Sequence, residues 1–263
     1  RNTNIERITV TAATITISGT STSTAAGSDG VQLEGATVAI SAVSGNIQIT
    51  GNTAGDDGID IEGATVSSTG AGTITISGTS TGTQGTDSDG IEIEDADAQI
   101  SSTGGAIMIT GVASGGSAGD GVDIAAGVTL AISATNAANI TIAGTGDGTS
   151  VAVQIDSPID SATGTVTITA LNGGTATDDI TFGVAGDVTS ASGVVTINAD
   201  TAGDTGDVFM ADGAVIDAGT GQVDIDADVN VTLGGLDTTT AVQIAARVGA
   251  IIDGGDMNVD ITA

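Results

Sequence analysis

The chain has 263 residues, 42 of them glycine, and a formal net charge of −30 from 33 acids against three arginines. Lys, His, Cys, Trp and Tyr are absent, and Phe182 and Phe209 are the only aromatic residues. These absences exclude a His general base, a Cys or Lys nucleophile and a His/Cys metal site. They also exclude a basic or aromatic nucleic-acid surface.

Glycine, Ser, Thr and high net charge are also the composition of disordered chains. Against disorder stand a 39% hydrophobic content and a mean hydropathy of +0.31. The apolar residues are concentrated in β-branched types, which favour strands. No run of 18 apolar residues is present, so no membrane insertion is expected. The chain opens Arg1-Asn2-Thr3, without an initiator Met or a signal peptide, and reads as a mature product or a piece of a larger polypeptide.

In chain order, an Ile5–Val10 strand-like segment comes first. A recurring aliphatic pair follows at Ile15/Ile17, Ile47/Ile49, Ile74/Ile76, Ile107/Ile109, Ile140/Ile142, Val166/Ile168, Val195/Ile197, Val223/Ile225 and Val259/Ile261. Successive pairs are 26–36 residues apart. A second set lies midway, at Val31/Leu33, Ile59/Ile61, Ile91/Ile93, Val122/Ile124, Val151/Val153, Ile180/Phe182, Val208/Met210 and Val242/Ile244. A weaker third set follows at Val38/Ile40, Val66, Ile100, Val128/Leu130, Ile159, Val184, Val215 and Val248.

Each pair has the period-2 alternation of a short strand, and the linking residues are turn formers. Three short strands per repeat predict an all-β fold: a right-handed parallel β-helix (β-solenoid) of about eight coils, spanning residues 1–263 as one unit. Coils stacked at strand spacing would make a rod roughly 40 Å long. A thin bore explains the preference for Ile and Val, and corner glycines are expected to supply positive φ. Loop length varies most before the second strand, as in Gly19–Gly30 and Gly78–Gly90, so insertions should project from one edge.

The units Ile74–Gly78 (ITISG), Asp89–Glu94 (DGIEIE) and Ile100–Gly104 (ISSTG) resemble the repetitive passengers of large bacterial exported β-helix proteins, such as filamentous-haemagglutinin-like exoproteins and autotransporter adhesins. The resemblance covers the whole chain and is compositional and architectural. It implies an extracellular, cell-surface location and a structural or adhesive role, with cell-surface glycans or other cells as partners.

The acidic turn before the second strand is the principal candidate site. Asp29, Asp57, Asp89 and Asp120 stand at that turn, and the strand that follows carries outward Asp60, Glu62, Glu92, Glu94 and Asp123. Stacking would put these carboxylates in ladders at roughly 5 Å, where like charges repel. Calcium would relieve that repulsion, because it accepts many oxygen ligands in flexible geometry. The alternative is that Asp-Gly only makes the turn and salt screens the charge.

Other motifs carry less. The Thr16, Thr75, Thr141, Thr167 and Thr196 column could order water, but Gln48, Met108, Asp224 and Asp260 interrupt it. The adjacent acids Asp56/Asp57 and Asp178/Asp179 suggest glycosidase carboxylates, but on a strand they would point to opposite faces. Asn139-Ile140-Thr141 and Asn230-Val231-Thr232 match the glycosylation triplet.

Neither end shows a polar cap, so residues 1–13 are expected to exchange with a neighbouring subunit and extend a filament by end-to-end stacking. The expected function is a non-enzymatic surface filament subunit with calcium-stabilised faces. The alternatives are a stalk segment of a giant adhesin and a polysaccharide-active β-helix enzyme.

Overall fold

The structure, a computed structural model, describes residues 7–10, 13–83, 88–115, 119–146, 150–172, 179–199, 206–227, 229–238, 241–246 and 252–253. Every named strand belongs to one of three nine-stranded parallel sheets. The chain visits the sheets in strict rotation. Sheet I begins with Arg7–Val10, sheet II with Ile15–Ser21 and sheet III with Val31–Glu34, and each later coil adds one strand to each. The fold is the β-solenoid that the repeat predicts, with three strands per coil. Among the described residues no helix is long and apolar enough to cross a membrane.

The aliphatic pairs form the bore. In sheet II, Ile47 pairs with Ile74, Ile74 with Ile107, Ile107 with Ile140, and the column continues through Val166, Val195 and Val223. Sheet III stacks Ile59, Ile91, Val122, Val153, Ile180 and Val208 in the same way. These residues are buried, as is Phe182, while Phe209 faces outward and is only half-buried. Burying each such side chain contributes about 1.5–3 kcal/mol, so the columns supply most of the driving force for stacking.

Sheet I differs in detail from the sequence expectation. Its inward residues include Ile132, Val188 and Ile216, in place of Leu130, Val184 and Val215. Val184 is 69% exposed, in a turn before the strand Val188–Ser190. These strands carry a single strong aliphatic each, so a neighbouring apolar residue competes for the assignment. Val248 lies outside the described residues.

The last coil is also reassigned. Val242 and Ile244 pair with Val223 and Ile225 in sheet II, not sheet III. Val231–Thr232 takes the place in sheet III. The coil from Val223 to Val242 therefore spans 19 residues, shorter than any spacing in the sequence reading, and sheet III gains a ninth strand. A Val-x-Ile pair looks the same in either sheet, so the pair alone cannot say where it stacks. Val259 and Ile261 lie outside the described residues. At the other end, Arg7–Val10 pairs with Ala39–Ala42 of its own chain, and residues 1–6 are not described.

The acidic-turn glycines have a purpose other than positive φ. Gly58 and Gly90 are not left-handed, unlike Gly27 (φ 66). They allow close backbone approach: a Cβ on Gly90 would lie 2.2 Å from Val112 N and 2.4 Å from Gly121 O. Gly78, at the end of sheet II, faces the same neck, where a Cβ would stand 2.0 Å from Gly90 O. The chain thus leaves and re-enters the coil through a pinched corner, and residues 84–87 of the Gly78–Gly90 insertion lie outside the described residues.

Candidate functional site

The corner beside that neck is a ladder of aspartates. Asp57 N donates to Asp29 Oδ1 at 3.2 Å, Asp89 N to Asp57 Oδ1 at 2.7 Å, and Asp120 N to Asp89 Oδ1 at 2.6 Å. Val151 N closes the series on Asp120 Oδ1 at 3.0 Å. Each side chain thereby caps the backbone of the next coil, a role that depends on coil-to-coil register. Asp57 and Asp89 are buried, at 6% and 4% exposure. Burial raises Asp57 to a pKa of about 10, with Asp89 and Glu92 adding repulsion against the pull of the Asp89 N–H. Burial, then Asp120, raises Asp89 to about 9. Asp29 is also raised, chiefly by burial.

Outward from the ladder lies an open cavity of about 460 Å³, lined by Asp29, Asp56, Asp57, Asp60, Glu62, Glu92 and Glu94 together with Ala26, Gly27 and Gln32. The strand register builds its wall: Gln32 stands beside Asp60, Asp60 beside Glu92, and Glu62 beside Glu94. Asp120 and Asp123 are not part of the lining. Asp123 continues the Glu92 column one coil further, next to Gln154.

Three groups of acids bring one oxygen from each member within 4.8 Å of the others: Asp29 with Asp56 and Asp57, Asp57 with Asp89 and Glu92, and Asp60 with Glu62 and Glu94. Two unit charges at that distance repel by about 3 kcal/mol at an effective dielectric near 20. That exceeds what one charge-assisted hydrogen bond returns, about 1.5–3 kcal/mol. Protons or cations must therefore neutralise part of the cluster. Protein cations are scarce, since the sequence offers only Arg1, Arg7 and Arg247.

Asp60 differs from the ladder residues. It is 6% exposed, its Oδ2 accepts from Gln32 Nε2 at 3.2 Å, and its Oδ1 is buried without a hydrogen-bond partner. A buried acceptor left unmet costs about 1–3 kcal/mol. Burial raises the Asp60 pKa to about 8, opposed by Gln32 and reinforced by Asp29, Glu92 and Glu94. Glu62 and Glu94 are raised too, first by burial, then by neighbouring acids, led by Glu34 for Glu62 and by Asp95 for Glu94.

Two contributors, Asp56 and Gln32, are not among the calcium-site candidates the sequence offers. Asp56 and Asp57 do converge, because the pair sits in the turn between the strands Ile47–Thr53 and Ile59–Glu62 rather than on a strand. Gln32 is neutral and carries no charge signal, and only the register places it against Asp60. Buried Ser68 and Ser102, at a different corner, donate to the Gly72 and Gly105 carbonyls at 2.9 and 2.5 Å. Asp178 lies outside the described residues. The glycosylation asparagines have structural work: Asn139 Oδ1 accepts from Thr165 N at 3.0 Å, and Asn230 Nδ2 donates to Asp207 Oδ2 at 2.9 Å.

No family model matches the chain, and neither a curated protein nor a solved structure shows significant similarity to it.

Proposed function

We propose that this chain is a structural, non-enzymatic element of an extracellular surface filament, extended by end-to-end stacking of solenoids. The observation that carries this reading is the self-similarity of the coil-to-coil interface. The same inward columns repeat from Ile47↔Ile74 to Val195↔Val223, and the parallel backbone ladder continues to Val223↔Val242. An interface that serves between coils of one chain has the geometry to serve between chains, and a head-to-tail contact of that kind does not close. The net charge of −30 fits the same reading. It keeps rods apart laterally and leaves the stack axis as the apolar direction of contact.

Electron microscopy of the purified chain tests the proposal. Unbranched filaments one solenoid wide are expected. Compact, monodisperse particles that stay monomeric at high salt and with added calcium would overturn it.

A further inference from the structure

We propose that Asp60, Glu62 and Glu94 together hold one calcium ion at the wall of the acidic cavity. This inference stands apart from filament formation, since all three ligands come from two adjacent coils of one chain.

Three observations select this cluster from its neighbours. In the other two groups each aspartate already has one oxygen engaged: Oδ1 of Asp29, Asp57 and Asp89 in the corner ladder, and Oδ2 of Asp56, which accepts from Gly27 N at 2.5 Å. Asp60 alone among these acids presents a buried oxygen with no hydrogen-bond partner, an unmet acceptor that a cation would satisfy. Gln32 holds the other Asp60 oxygen and fixes the orientation of the carboxylate from the preceding coil.

Coordination chemistry then selects the ion. One oxygen from each of Asp60, Glu62 and Glu94 lies within 4.8 Å of the other two. Oxygens on opposite sides of one calcium ion stand about 4.6–5.2 Å apart, and around magnesium about 4.0–4.2 Å. Oxygens within that limit can gather around either ion, and calcium is favoured because it takes six to eight oxygens in irregular geometry, whereas magnesium demands a near-ideal octahedron and gives up its waters reluctantly. The open cavity in front, about 460 Å³, leaves room for the water ligands that complete a shell of six to eight. Three carboxylates on an open wall place the affinity at about 0.1–1 mM, the range of extracellular calcium modules.

The experiment is a calcium titration of the full-length chain after chelation, read by calorimetry and by thermal melting. A saturable response with one ion per chain is expected. Neither magnesium nor sodium chloride at matched ionic strength should reproduce it. Asp60→Asn should abolish the saturable response while raising the melting temperature of the chelated chain, because an amide has no charge to neutralise on burial. That rise also shows the variant to be folded. Glu94→Gln, at the rim, should weaken calcium binding by about tenfold or more. A non-saturating response shared by magnesium and sodium chloride would overturn the site in favour of screening. Retention of the one-ion response in Asp60→Asn would overturn the assignment to these residues. Failure to form filaments would leave these results unchanged, so the two proposals fall separately.

Discussion

The early and late coils of this solenoid share a bore and differ in their coat. In sheet III the outward column reads Gln32, Asp60, Glu92 and Asp123 through the first coils, then Gln154, Thr181, Phe209 and Thr232. The inward column is aliphatic throughout, apart from Phe182 and Met210. The corner changes as well. Early coils ladder through Asp29, Asp57, Asp89 and Asp120. In the late coils the acid stands one residue nearer the strand: Asp207 receives Asn230 N at 2.7 Å through Oδ1, and the Asn230 side chain through Oδ2. Two solutions to one corner in a single chain teach that the fold needs a backbone acceptor there, but not a stack of neighbouring acids. The acidic crowding of the early coils is additional to folding, and it coincides with the buried, unpartnered Asp60 Oδ1 beside the cavity.

The sharpest way to break this comparison is at the neck. In the column Gly58, Gly90, Gly121, the next coil places Ala152, which is fully buried. Gly90→Ala should lose about 3 kcal/mol, the upper end of overpacking, because its Cβ meets backbone atoms that cannot rotate away. Ala152→Gly should lose about 1 kcal/mol or less. Chemical denaturation of both variants checks this; equal losses would show that the early neck is no tighter than the late one.

A smaller effect of opposite sign is expected from the two corner acids. In chelated protein at neutral pH, Asp89→Asn keeps an acceptor for Asp120 N and removes the cost of holding a proton on a buried carboxyl crowded by Asp120 and Glu92. It should gain about 2 kcal/mol. Asp207→Asn sets an amide against the Asn230 amide and should lose about 1 kcal/mol. Loss in both, measured by thermal melting, would mean that the early ladder is ionised and satisfied.

Much of this architecture is legible in the residues themselves. Ile74-Thr75-Ile76 reads as a strand with one buried face, and its recurrence reads as a stack. What escaped reading depends on what lies one coil away. Val242 and Ile244 look like any other pair, and only the shortened turns around Val231 decide their sheet. Val184 outcompeted Val188 because a three-residue strand carries too little pattern. The acids at Asp57 and Asp89 were visible, but their bonds run to backbone some 30 residues distant, which local sequence does not encode. Gly90 reads as a turn former, while its actual constraint comes from Val112 and Gly121.

Hydrogen exchange, resolved by segment on chelated chain at about pH 6 and about pH 9, tests the central claim most directly. Asp57, Asp60 and Asp89 are raised in the fold from 3.8 to about 10, 8 and 9. Between the unfolded and folded values the native state holds protons that the unfolded chain has lost, so stability falls as pH rises through this window. The account predicts that protection of the Asp57, Asp89 and Asp120 amides drops between the two pH values, while the strands at Ile180–Phe182 and Val208–Met210 keep theirs. A uniform change along the rod, or a gain of protection at these corners as pH rises, would contradict it.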